Sequence, residues 1–202
     1  LDTKNRCLKD ITNDPDTPTL LRYDKAKYED YVTNCLGIKS TAAQHVRAEK
    51  LLSQLPMLSL PLEYSYDFIM DMSGTATPDK ALMPLLKTYV DAETDLSNCH
   101  VAQLPAVDGY RFLLICGNNA VGEGRFFLCS IDKQGKLTEN LLIYTAQTIL
   151  WKGKEDNSFL HFKVNKGGQI TLNKTIVHNG KEVVISKKNI QFRRGIFYSI
   201  SD

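Results

Sequence analysis

The chain of 202 residues is 43% hydrophobic and 24% charged, an ordinary globular composition, and is long enough to bury a core. Its formal net charge is +2, and no run of about 18 apolar residues occurs, so no membrane span is expected. The cysteines and histidines have no metal-ligand spacing, no Gly-x-Ser-x-Gly elbow occurs, and the glycine run Gly117 to Gly124 lacks a phosphate-loop lysine. The expectation is a protein with no cofactor, no metal and no catalytic motif.

Charge is unevenly spread. Between Lys163 and Arg194 stand eight basic residues and one acid, Glu182; between Glu63 and Asp108 stand eight acids and two lysines. Such segments either face each other, lie solvated, or give a basic face to an anionic partner.

In chain order, residues 1 to 19, with Asp10, Asp14, Pro15, Asp16 and Pro18, read as an extended arm or loop without the glycine and terminal glutamate of a calcium loop. Tyr28, Tyr31, Val32, Cys35 and Leu36 form one apolar face of a helix over Asp24 to Leu36, stopped by Gly37. A second helix runs from Thr41 to about Gln54, with Leu51 and Leu52 on its apolar stripe and Pro56 ending it. From Leu58 to Met72 apolar residues hold every even position, which predicts a half-buried strand with an edge or break at Pro61; a helix over 62 to 72 is the alternative. Thr77-Pro78 resembles a helix start, although Pro84 moves the start later if it occupies the first turn. Asp91 to Asp108 reads as loop with a short strand at His100 to Gln103.

The segment after Asp108 is a hairpin meander. Strands are predicted near 110–116, 125–132, 137–145, 159–165, 169–177, 182–186, 189–193 and 196–200. Ile131 to Thr138 and Val164 to Thr171 repeat one turn pattern, an Asp or Asn opening followed by glycine. The fold class is α+β: N-terminal helices packed on a largely antiparallel, strongly twisted or barrel-like sheet. One structural unit, 1–202, is expected, with a helical part over 20–104 carrying one long strand and a β meander over 105–202.

Five cysteines are an odd number, leaving at least one thiol free or paired between chains in an oxidising compartment. A two-residue turn at Gly122-Glu123 would set Cys116 opposite Cys129, within reach of a strained disulfide. The four histidines have no neighbours that complete a metal or nucleophile pair; His161, between Leu160 and Phe162, faces solvent or a pocket. Candidate binding residues are Trp151, an aromatic beside Lys152 and Lys154 suited to a sugar or a nucleic-acid base, and the cations Lys187, Lys188, Arg193 and Arg194. No motif for specific nucleic-acid recognition accompanies them.

The segments LSQLPMLSLPLEYSYDF, GYRFLLIC, GRFFLCSIDKQGKLTENLLIY and IQFRRGIFYSI resemble uncharacterised secreted or lipid-anchored proteins of Bacteroides-type bacteria. The resemblance implies an envelope location, periplasmic, cell-surface or extracellular, behind a removed signal peptide, and implies no activity. Cys7, after Lys4-Asn5-Arg6, lacks a lipobox neighbourhood. The functional expectation is a non-enzymatic binding or interaction protein whose ligand is a protein or an anionic or polysaccharide molecule. The alternatives are an intracellular inhibitor or immunity-type protein, and an enzyme whose site assembles from distant residues.

Overall fold

The computed structural model describes residues 7–10, 19–22 and 49–200. The chain divides into two compact units, Leu1–Val46 and Arg47–Asp202. In the first, β1 (Cys7–Asp10) and β2 (Thr19–Arg22) pair antiparallel, with Cys7 opposite Arg22. The arm read as loop therefore contains a strand and the start of another. The helix expected over Asp24 to Leu36, the opening of the one expected from Thr41, and Cys35 lie outside the described residues.

The second unit is dominated by one antiparallel sheet. Its strands are β3 (Leu62–Glu63), β4 (Asp95–Val107), β5 (Tyr110–Asn118), β6 (Gly124–Ile131), β7 (Leu137–Trp151), β8 (Lys154–Val164), β9 (Gln169–His178), β10 (Lys181–Arg193) and β11 (Ile196–Ile200). From β4 to β11 each strand pairs with the next in sequence, and β3 adds to β8. Turn chemistry explains the order. Asp108-Gly109, Lys152-Gly153, Asn179-Gly180 and Arg194-Gly195 are two-residue turns in which both residues have positive φ, the geometry that matches strand twist. The two copies of the repeated turn pattern have the same loop length, since Ile131 pairs with Leu137 and Val164 with Ile170.

β7 bends the sheet. Residues up to Thr145 pair with β6, and Thr145 to Trp151 pair with β8. The two halves of the sheet then face each other across an inner core. Phe112, Leu114, Phe126 and Leu128 come from one side, and Phe162, Ile170, Leu172, Ile190 and Phe192 from the other. The sheet is not a closed barrel. β11 reaches β7 through the Glu139 carboxylate, which accepts the Phe197 N–H, and not through a strand ladder.

A second core lies on the other face of β4 to β6. Val101, Leu113, Ile115, Phe127, Cys129 and Ile131 pack there with Leu52 from the helical turn over 49–53, and with Leu82, Leu86 and Tyr89. β5 and β6 are thus covered on both faces, which explains their unbroken apolar runs. Leu52 is fully buried and Leu51 half-buried.

Four expectations need correction. The strands predicted near 182–186 and 189–193 are one strand, β10, continuous through a bulge. The stretch from Leu58 to Met72 is not one strand: only Leu62–Glu63 is β, and Tyr66–Asp71 is a short helix. Ser65 caps that helix by accepting the Phe68 N–H at 3.1 Å. Helical spacing buries Phe68 against Phe162, leaving Tyr66 and Met70 exposed, residues a strand would have turned inward. The segment 91–108 is mostly strand β4, whose Pro105 is tolerated because β4 is an edge. The turn between β5 and β6 spans residues 119–123, with Asn118 opposite Gly124, so Cys116 pairs with Phe126 and Leu113 with Cys129. Cys116 and Cys129 therefore lie on opposite faces, one in each core, and both are free thiols. Asn119 shapes the longer loop by accepting N–H groups of Val121 and Glu123.

In the Thr77 to Val90 segment, Asp79 caps a 3₁₀ turn over Lys80–Leu82, and the α-helical turn Met83–Leu86 holds Pro84 in its first turn. The late start thus holds. Leu52→Ala removes a fully buried side chain and is expected to cost about 2–5 kcal/mol in urea denaturation. A loss below about 0.5 kcal/mol would show that this helical turn does not support the sheet.

Candidate functional site

The strand order places four turns at one end of the sheet: 108–109, 132–136, 165–169 and 194–195. Between three of them opens a cleft of about 650 Å³, lined by Asp108, Gly167, Gln191, Phe192, Arg193, Arg194 and Tyr198. That volume falls within the range of small-molecule sites.

The cleft is tied together by its own polar groups. The Asp108 carboxylate accepts the Arg194 N–H at 3.3 Å, joining the β4–β5 turn to the β10–β11 turn. Gln191 donates its side-chain amide to the Gly167 carbonyl at 2.9 Å, joining the third turn. Close approach adds rigidity. A Cβ on Gly168 would lie 3.0 Å from the Phe192 Cβ and 3.2 Å from Val107, at a φ of +77 that side chains rarely adopt. Arg194 itself has φ 49, a position where Asn or Asp is usual. Among the described residues, the guanidinium groups of Arg193 and Arg194 have no ion pair or hydrogen bond, whereas Arg111 on β5 and Arg125 on β6 are paired with Glu49 and Asp91.

Of the residues singled out in the sequence, Arg193 and Arg194 meet in this cleft. Lys187 and Lys188 lie farther back on β10, opposite Asn173 and Leu172, and both are exposed. Register puts Lys187, Gln191 and Arg193 on one face of β10, and Tyr198, opposite Gln191, joins that face. Trp151 is at the other end of the sheet, in the β7–β8 turn, half-buried, with the Lys152 ammonium 5.9 Å from its ring centre. It shares no site with the arginines. Asp108, Gly167, Gln191 and Tyr198 escaped sequence reasoning. The one available signal was that counting hairpins brings the Asp108-Gly109 and Gly167-Gly168 turns to the same end as Arg194-Gly195.

A second polar cluster gathers residues from three strands' neighbourhoods. The Tyr64 and His161 rings stack with centroids 3.7 Å apart, and the His161 Nδ1 lies 3.3 Å from the Glu182 carboxylate. The His161 Nε2 is buried without a hydrogen-bond partner. Burial holds the His161 pKa below its ordinary value, with Glu182 pulling the other way. Burial also raises Tyr64, assisted by Glu182, and pushes the Tyr144 phenol up to about 12. An unpaired imidazole nitrogen in a dry stack suits a packing role in neutral form.

No group of three His, Cys, Asp or Glu residues among those described is placed to hold a metal, and none of the described helices is long and apolar enough to cross a membrane. No protein-family model matches the chain, and neither a curated protein nor a solved structure matches it.

His161 gives a pH dependence of defined sign. Its folded-state pKa is below the unfolded value of about 6.5, so the fold disfavours protonation and loses stability as pH falls below that value. His161→Gln should therefore lose less stability than the parent between about pH 7.5 and about pH 5, measured by denaturant titration at each pH. Equal losses would contradict a neutral, desolvated His161.

Proposed function

We propose that the protein is a non-enzymatic binding protein of the cell envelope or extracellular space, and that an anionic ligand docks in the cleft at the turn end of the sheet. The observation that carries this reading is that Arg193 and Arg194, neighbours in sequence, both line the cleft with guanidinium groups unpaired among the described residues. Guanidinium groups present several donors in a planar fork that matches carboxylate, sulfate or phosphate oxygens. Their usual intramolecular partners are absent here, although the acid Asp108 lines the same cleft and is engaged with a backbone N–H.

The frame favours recognition over chemistry. Three tight turns hold the cleft in one shape, which lowers the ordering cost of binding. Lys187, on the same face of β10, extends the positive field away from the cleft. Trp151 belongs to this proposal only as a separate contact, since it lies at the other end of the sheet.

Retention on immobilised heparin tests the reading. The parent should be retained at about 0.15 M salt, where exposed charges act over roughly 8 Å. Arg193→Glu with Arg194→Glu should abolish retention, while Lys187→Glu with Lys188→Glu should only lower the salt needed for elution. Unchanged retention of the arginine variant, with an unchanged melting curve, would sink the proposal.

A further inference from the structure

The hydrogen-bonding inventory of the cleft goes further than its charge, and the inference rests on the anion-binding reading above. The donors are the two guanidinium groups and the Tyr198 hydroxyl. The acceptors are as prominent. Asp108 uses Oδ2 for the Arg194 N–H at 3.3 Å, leaving Oδ1 open. Gln191 commits Nε2 to the carbonyls of Gly167 at 2.9 Å and Phe192 at 3.1 Å, so it offers its amide oxygen to a ligand. Tyr198 is 49% exposed and stands opposite Gln191, with an aromatic ring open to a flat partner.

A ligand made only of anionic oxygens satisfies half of this inventory. An oligophosphate would engage the arginines while facing the Asp108 carboxylate and the Gln191 oxygen with nothing to donate, a repulsive arrangement. A molecule that carries both a carboxylate and hydroxyl groups satisfies all of it. A pyranose also offers an apolar C–H face that packs on an aromatic ring.

We infer that the cleft binds a uronic-acid unit of an acidic polysaccharide. The carboxylate sits on Arg193 and Arg194, ring hydroxyls donate to Asp108 Oδ1 and the Gln191 amide oxygen, and the sugar face packs on Tyr198. Lys187 shares the outer face of β10, six residues from Arg193, about 20 Å at the strand rise. Several sugars of one chain span that separation, so an oligosaccharide long enough to reach Lys187 binds more tightly than its monomer.

Calorimetry on the full chain with trigalacturonate, maltotriose and tripolyphosphate tests the inference. The parent binds trigalacturonate and not the neutral maltotriose. Asp108→Asn keeps an acceptor for the Arg194 N–H and tolerates positive φ, so the turn is retained. It weakens trigalacturonate about fivefold or more, and leaves tripolyphosphate unchanged or tighter. Should Asp108→Asn tighten both anions alike, the cleft is a general anion site: the carbohydrate inference falls and the anion-binding reading survives. If Arg193→Ala with Arg194→Ala changes the affinity of neither anion, both fall.

Discussion

The edge-to-face contact between Phe112 on β5 and Phe192 on β10, with ring centres 4.7 Å apart, holds the curled sheet together. These strands are five places apart in the sheet, and they meet only because β7 turns the sheet back on itself. Tyr110 and Phe197 join the same cluster, at 5.6 Å and 5.1 Å from Phe192. The cleft borders it, since Phe192 lines the cleft while its ring is buried in the core, and Gly195 lets its turn lie against the Tyr110 ring, where an added Cβ would come within 3.0 Å. Packing in the inner core therefore sets the positions of Arg193 and Arg194, although neither side chain is buried.

Different parts of the sheet meet different demands. β5 and β6 are sandwiched between two cores and contribute buried side chains to both. The first eight residues of β10, Lys181 to Lys188, are exposed on both faces, and the strand carries a bulge between Val184 and Ser186. Bulges and lysines are the features that keep an open strand edge from pairing with other chains. Binding chemistry is then left to the turn end. Individual exposed ion pairs are weak, of order 1 kcal/mol or less, so useful affinity requires several contacts made together in a preformed cleft.

Much of the meander could be read from turn residues alone. Asn179-Gly180 and the Asp132 and Asn165 turns place strand ends correctly because their conformations are locally determined. Elements governed by distant contacts could not be read this way. β4 looked like loop because its first four residues, Asp95 to Asn98, are mostly polar and exposed at the sheet edge. The alternation from Leu58 to Met72 suggested a strand, but a cap at Ser65 and a place for Phe68 beside Phe162 favour a helix there. The cysteine register failed by parity: a five-residue loop replaced a two-residue turn, and pairing moved by an odd number of positions. The arginines stood out by charge, whereas Asp108, 85 positions before Arg193, joined them only through tertiary proximity.

A double-mutant cycle on Phe112→Leu and Phe192→Leu tests most directly whether the sheet curls on itself at this contact. Denaturant unfolding of the parent, both single variants and the double variant should give a coupling energy of about 0.5–1.5 kcal/mol, the range for aromatic pairs in contact. Additive losses, with coupling indistinguishable from zero, would mean that β5 and β10 do not meet, and the architecture that positions the cleft would be contradicted.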